Sequence, residues 1–380
     1  MRAKVNPFCL LNTSLQAAVL MISRGVEHHI FLLVSAGFAK LRSMTKSSRQ
    51  KTSQKAPVQS KKPISQETNQ RSFAPLSGRE FPRFSAIKTF FRLPHVSVQE
   101  DFDVALFGTP YDGGTSYRPG ARFGPVLVRE CSSLGRGYHM NRDVTVFDGM
   151  RVADIGDCPI VPIDQKKSYS QIEKFATQIL KTNKRFVSVG GDHSTTLPLL
   201  RAMKKKYGKL NFVHFDAHLD TYPAAWGCEY HHGAFARHAV EEGLVNPKNM
   251  VQIGIRGPLA GKDDLAFVKK HKITVVTVDQ IREKAIQKLS ELFPKLDGPT
   301  YISYDIDCLD PAFAPGTGTP VPGGLTTFEV QKIFQSLKIS NLVGGDIVEV
   351  SPPYDQSQIT GLAAVDAMFE MLSIMKGSYK

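Results

Sequence analysis

The chain has 380 residues, 42% hydrophobic and 22% charged, which is enough apolar material for a full core and excludes a disordered or fibrous protein. Its net charge of +13 is uneven: residues 1–70 hold 11 Lys and Arg against only Glu27 and Glu67, so +9 lies there and +4 on the remaining 310 residues. A near-neutral body, and a tail without interleaved aromatics for base stacking, argue against a nucleic-acid partner. Five widely spaced cysteines with no CxxC pair fit neither a disulfide framework nor a zinc finger, and a reducing compartment is the simpler expectation.

Residues 1–72 read as a disordered basic tail or a transit peptide, because their Arg, Ser and Lys content and scarcity of acids match organelle targeting segments. Mitochondrial or other organelle import is the expectation, the alternative being a cytoplasmic protein with a solvated tail. The apolar run Ile30–Phe38 is too short to cross a bilayer, so no transmembrane segment is expected. Residues 73–100 read as a linker or N-terminal arm, and residues 101–380 as one domain.

In chain order the expected elements are a strand at Asp103–Phe107, a helix at Gly124–Ser132, a helix at Ser170–Thr182, a strand at Arg185–Val189 and a helix at Thr196–Tyr207. Then come a strand at Leu210–Phe215, a helix at Ala234–Glu242, a strand at Met250–Ile255, a helix at Asp263–Lys270 and a strand at Thr274–Val278. A helix at Val278–Phe293, a strand at Thr300–Tyr304, a helix at Thr327–Ser336, a strand at Leu342–Val350 and a helix at Gly361–Met375 complete the series. This alternation is the α/β pattern, with a mainly parallel sheet, right-handed crossovers and ligands bound beyond the carboxyl ends of the strands.

Three strand ends are rich in metal-type ligands: Gly190-Gly191-Asp192-His193-Ser194, Asp216-Ala217-His218-Leu219-Asp220, and Ser303-Tyr304-Asp305-Ile306-Asp307. In extended backbone Asp216, His218 and Asp220 share one face, and Asp305 shares one with Asp307. Carboxylates crowded together repel one another unless cations neutralise them, so a divalent metal is the natural counter-charge. Imidazole and carboxylate without thiolate suit borderline or hard ions, and bridging aspartates suit a pair of them about 3.5–4 Å apart. A single Asp-x-His is more often a turn or a helix cap; three such motifs at successive strand ends argue for metal.

Here the sequence resembles the ureohydrolases, the arginase and agmatinase family. The motifs GGDHS, DAHLD and SYDIDCLDP occur in that order, flanked by RPGARFGP from Arg118 and EVSPPYD from Glu349. The resemblance implies a three-layer α/β/α fold with a mainly parallel central sheet, hydrolysis of a small-molecule guanidino substrate to urea and an amine, and two Mn²⁺, with nickel or another divalent metal admissible. It implies that His193, Asp216, Asp220 and Asp305 hold one ion and that Asp216, His218, Asp305 and Asp307 hold the other. It further implies that Glu349 grips the guanidinium, that Asp220 passes a proton to the leaving amine and that His232 shuttles protons at the mouth. His231 reads as a surface residue, and Trp226 as channel wall or packing. Homotrimers or homohexamers are the family habit.

The largely apolar loop Tyr230–Ala236 looks agmatinase-like, which makes agmatine, cleaved to putrescine and urea in polyamine biosynthesis, the expected substrate. Arg237 could instead pair with the carboxylate of a guanidino acid such as 4-guanidinobutanoate, and guanidine itself fits the same chemistry. Outside this chemistry stand a single-zinc deacetylase, against which the additional ligands His193, Asp220 and Asp307 argue, and a non-catalytic binding homologue, which loss of a ligand would have supported.

Overall fold

The computed structural model describes residues 72–259 and 261–378. Among these residues ten strands run β1 Val104–Thr109, β2 Tyr138–His139, β3 Val144–Thr145, β4 Val152–Asp157, β5 Arg185–Gly190, β6 Leu210–Phe215, β7 Val245–Ile255, β8 Thr274–Thr277, β9 Leu296–Asp305 and β10 Ile339–Val348. β2 and β3 form a small antiparallel ladder, and the other eight make one sheet in the order β4-β1-β5-β10-β9-β6-β7-β8. Every neighbouring pair in that sheet is parallel.

Such a sheet is covered on both faces, so its strands are apolar on both. Along β6, Leu210 and Phe212 enter one core cluster while Val213 and Phe215 enter the other. Helices α1 Gly124–Ser132, α6 Val278–Glu283, α7 Thr327–Ser336 and α8 Ile359–Gly377 cover the Val213 face. Helices α2 Gln165–Lys181, α3 Thr196–Tyr207, α4 Phe235–Glu241 and α5 Asp264–His271 cover the Phe212 face. The result is the three-layer α/β/α architecture.

Three expectations need correction. β4 was not expected; it is the edge strand beside β1, its outer edge bridged only at Asp154 by His95 of the arm, and its sequence Val-Ala-Asp-Ile-Gly-Asp lacks a β-branched run. Helix α2 starts at Gln165 rather than Ser170, because the Asp164 side chain caps it by accepting the Lys167 N–H at 2.9 Å. The helix expected over Val278–Phe293 stops at Glu283, Lys284 and Ala285 are extended, and a 3₁₀ turn covers Ile286–Glu291. Ile281, Leu289 and Phe293 are buried in this arrangement, and helical spacing would place them on one face as well, so periodicity does not separate the two.

Residues 73–100 form an arm packed on the domain, with Phe90, Phe91, Leu93 and Val96 buried. The tail through residue 71 lies outside the described residues. Among the described residues no helix is long and apolar enough to cross a membrane, and Cys131, Cys158, Cys228 and Cys308 are free thiols.

Candidate metal centre and substrate pocket

The four central strands β5, β10, β9 and β6 end side by side, and their carboxyl ends deliver His193, Glu349, Asp305 with Asp307, and Asp216 with His218 and Asp220 to one place. Gly191 is required there, because a Cβ would overlap the Tyr111 carbonyl. The close approach lets Asp192 N–H donate to Tyr111 O and Glu349 N–H donate to Gly191 O, both at 2.9 Å. The two flanking motifs also meet: Gly120, at φ +138°, packs against Ser351 and Pro353.

His193 is fully buried, and its Nδ1 lies 3.1 Å from Asp216 Oδ2, 3.2 Å from Asp220 Oδ2 and 3.0 Å from Asp305 Oδ2. The other ring nitrogen settles the tautomer. Ser303 Oγ donates to Asp346 Oδ1 at 2.6 Å, so at 2.9 Å it accepts from His193 Nε2–H. Nδ1 therefore has no hydrogen-bond donor opposite it and turns its lone pair toward three carboxylate oxygens. That arrangement is repulsive unless a proton or a cation stands between them.

The spacing fits a cation: metal–ligand bonds of about 2.1 Å set at right angles put their donors about 3.0 Å apart. Burial opposes charge on His193, yet Asp216, Asp220 and Asp305 hold its pKa well above the ordinary imidazole value.

A second donor group adjoins the first. His218 Nδ1 stands 3.2 Å from Asp216 Oδ1 and 3.1 Å from Asp307 Oδ2. Asp216 thus turns one oxygen to each group. Burial would raise its pKa, but His193, His214 and His218 hold it well below the usual carboxylate range. Asp305 and Asp307 are pushed up, each first by burial, and Asp305 further by Asp307 and Asp216. A carboxylate cluster strained in this way favours divalent cations.

Sequence reasoning passed over His214, whose Nε2 is 2.8 Å from Asp216 Oδ2 and which lies with His193, Asp216 and Asp220 in one potential ligand group. Gln252 Nε2 donates to Leu219 O at 2.6 Å and to His214 Nδ1 at 2.9 Å. His214 Nε2–H therefore donates to Asp216 and orients it rather than serving as a ligand. The signal was available, since His214, Asp216, His218 and Asp220 continue one alternation.

Glu349 is fully buried, and its Oε1 accepts the His193 N–H at 2.9 Å and meets His232 Nδ1 at 2.9 Å, whereas Oε2 is buried without a partner. Glu349 and Asp220 both adopt left-handed backbone, at φ +62° and +50°. Non-glycine residues adopt it at a cost of about 1–3 kcal/mol, a strain typical of functional sites.

A cavity of about 340 Å³ opens onto part of this cluster, lined among others by His218, Asp220, Asp305, His232, Trp226 and Thr319, with Glu349 buried behind His232. Trp226 forms part of its wall and is 78% exposed. His231 also lines it and bonds the Pro223 carbonyl at 3.0 Å. Arg237 turns elsewhere: its Nε donates to the carbonyls of Thr221 and Tyr222, its guanidinium pairs with Glu241 and it covers the Phe267 ring.

The sequence model described as the Arginase family matches residues 102–373. A guanidinopropionase of Pseudomonas aeruginosa is 45% identical over 307 residues, covering 80% of this chain and 96% of that protein. An agmatinase of Klebsiella pneumoniae is 43% identical over 292 residues, covering 75% and 92%. Among solved structures, the proclavaminate amidinohydrolase of Streptomyces clavuligerus superposes with a TM-score of 0.74 at 42% identity, covering 78% of this chain and 100% of that one.

Proposed function

The chain belongs to the Arginase family, hydrolases that act on guanidino compounds at a binuclear metal site, and from that membership we propose that it releases urea from agmatine or a closely similar guanidinoalkylamine. His193, Asp216, Asp220 and Asp305 would hold one divalent cation and Asp216, His218, Asp305 and Asp307 the other, with manganese the proposed metal. Bound there, the cations would neutralise the carboxylates and make a water molecule nucleophilic at neutral pH. The observation that carries the reading is the His193 Nδ1 lone pair facing three carboxylate oxygens at 3.0–3.2 Å.

The protein's own groups then divide the work. Glu349 offers its free Oε2 to the guanidinium, because a carboxylate matches that planar cation in charge and shape. Asp220, which lines the cavity, takes the proton of the attacking water and gives it to the departing amine nitrogen. His232, bonded to Glu349, exchanges protons between this centre and the mouth.

Among the described residues no lysine or arginine lines the cavity, and Arg237 is engaged elsewhere, which supports a substrate whose far end is not a carboxylate. A guanidino acid is the second reading, favoured by the similarity to a guanidinopropionase. Assembly as a homotrimer or homohexamer is proposed on the family resemblance.

The test is urea release from agmatine, 3-guanidinopropanoate, 4-guanidinobutanoate, arginine and guanidine by manganese-loaded protein. Highest kcat/KM for agmatine is expected. Highest kcat/KM for one of the acids replaces the substrate assignment, and no urea from any of them by protein with two bound metals overturns the reaction itself.

A further inference from the structure

The loop after β1 contributes a residue to the pocket that has no role so far. Ser116 lines the cavity, and its Oγ lies 2.7 Å from His232 Nε2, with its backbone N–H at 3.2 Å from the same atom. The loop is tied down on both sides: Gly114 N–H donates to the buried Asp192 Oδ2 at 2.7 Å, and Gly114 O accepts the His232 N–H at 3.0 Å. His232 is thus held by its backbone and by both ring nitrogens, Nδ1 on Glu349 and Nε2 on Ser116.

We propose that Ser116 is the positioning residue for His232, fixing the imidazole plane and staying bonded to Nε2 in both protonation states. The inference rests on the reading of His232 as the proton carrier.

The choice of side chain follows from chemistry. An imidazole held at one nitrogen can still swing about its second torsion, which is broad and roughly two-fold, and a bond at the other nitrogen removes that freedom. His232 must alternate between a bare Nε2 and Nε2–H if it carries protons. The Ser116 backbone N–H, a donor only, serves the first; the hydroxyl donates to the first and accepts from the second, whereas an ammonium or a carboxylate suits only one of them. The exposed side of Ser116 faces water, so a proton lost by Nε2–H passes to Ser116 Oγ while the serine releases its own proton to solvent.

The experiment is a double-mutant cycle on the manganese-loaded full chain. Ser116→Ala and Ser116→Thr are made alone and in a His232→Asn background, and kcat and KM are measured with the guanidino compound the wild type hydrolyses best. Ser116→Ala is expected to lower kcat about tenfold with KM changed by less than about twofold, Ser116→Thr to recover most of the loss, and Ser116→Ala to cost nothing further once His232 is asparagine. An equal loss in both backgrounds, a change confined to KM, or a folded Ser116→Thr protein as slow as Ser116→Ala overturns the assignment. Thermal unfolding of each variant separates a kinetic loss from misfolding. A metal-loaded wild type that hydrolyses no guanidino compound overturns the proposed function instead.

Discussion

His232 Nδ1 and Glu349 Oε1 lie 2.9 Å apart across 117 residues of sequence, and the same oxygen accepts the backbone N–H of His193. One carboxylate thereby ties the pocket mouth to the donor cluster beneath it. Its influence spreads: burial followed by Glu349 pushes Asp192 up to about 7.

Replacing Glu349 by glutamine keeps the shape and the acceptor and removes the charge. At equal metal content, turnover of every guanidino substrate should fall roughly 10- to 100-fold, since a charge-assisted hydrogen bond contributes about 1.5–3 kcal/mol. Loss with one substrate alone would remove Glu349 from the guanidinium.

Asp305→Ala deletes an oxygen that stands 3.0 Å from His193 Nδ1. Metal per chain, measured by plasma emission after dialysis, should drop sharply and urea production should vanish. Retention of two metals with normal turnover would end the binuclear assignment.

The His232–Glu349 pair makes stability depend on pH. Burial disfavours the charged ring, but Glu349 outweighs it and raises the His232 pKa to about 9, above the ordinary value near 6.5. A pKa raised on folding gives stabilisation that is complete below about 6.5 and lost as pH rises through about 9. In chelated protein, Tm should therefore fall more between pH 6.5 and 9.5 for wild type than for His232→Asn. Equal falls would show that the pair stores no such energy.

Arg237→Ala tests the pocket from behind. Because the side chain is committed to the Thr221 and Tyr222 carbonyls and to Glu241, the ratio of kcat/KM for agmatine to that for 4-guanidinobutanoate should stay within about twofold. A selective loss of the acid would mean that the guanidinium reaches substrate.

Deleting residues 1–71 removes much of the positive charge and no residue of the donor cluster or pocket. Metal content, kcat and Tm should remain near wild type. A targeting role for this segment, proposed from its composition, predicts that a fluorescent fusion of the full chain enters an organelle while the shortened one does not.

The sequence displayed the centre better than its supports. Helices α1, α3 and α7 start and stop where expected, because Pro125, the turn at Gly208 and the Thr326 capping box are local signals. The ligand motifs were legible for a related reason, since alternation along one strand shows which side chains share a face. Ser303 with Asp346, Gln252 and Ser116 were not, because each acts on a histidine from another element. The His193–Ser303 bond spans 110 residues and the Ser116–His232 bond 116. No spacing rule within one segment encodes such a pairing.

The strand order also governs when this centre can come into being. β9 and β10 lie between β5 and β6, yet the chain delivers them after β6, β7 and β8 have been made. Until then β5 and β6 lack the two strands that join them, their inner edges stay open, and His193 cannot meet Asp216 in its final register until residues near 348 have emerged. The centre is therefore a product of late closure, and a nascent chain halted before β10 would expose edge strands in need of protection from aggregation.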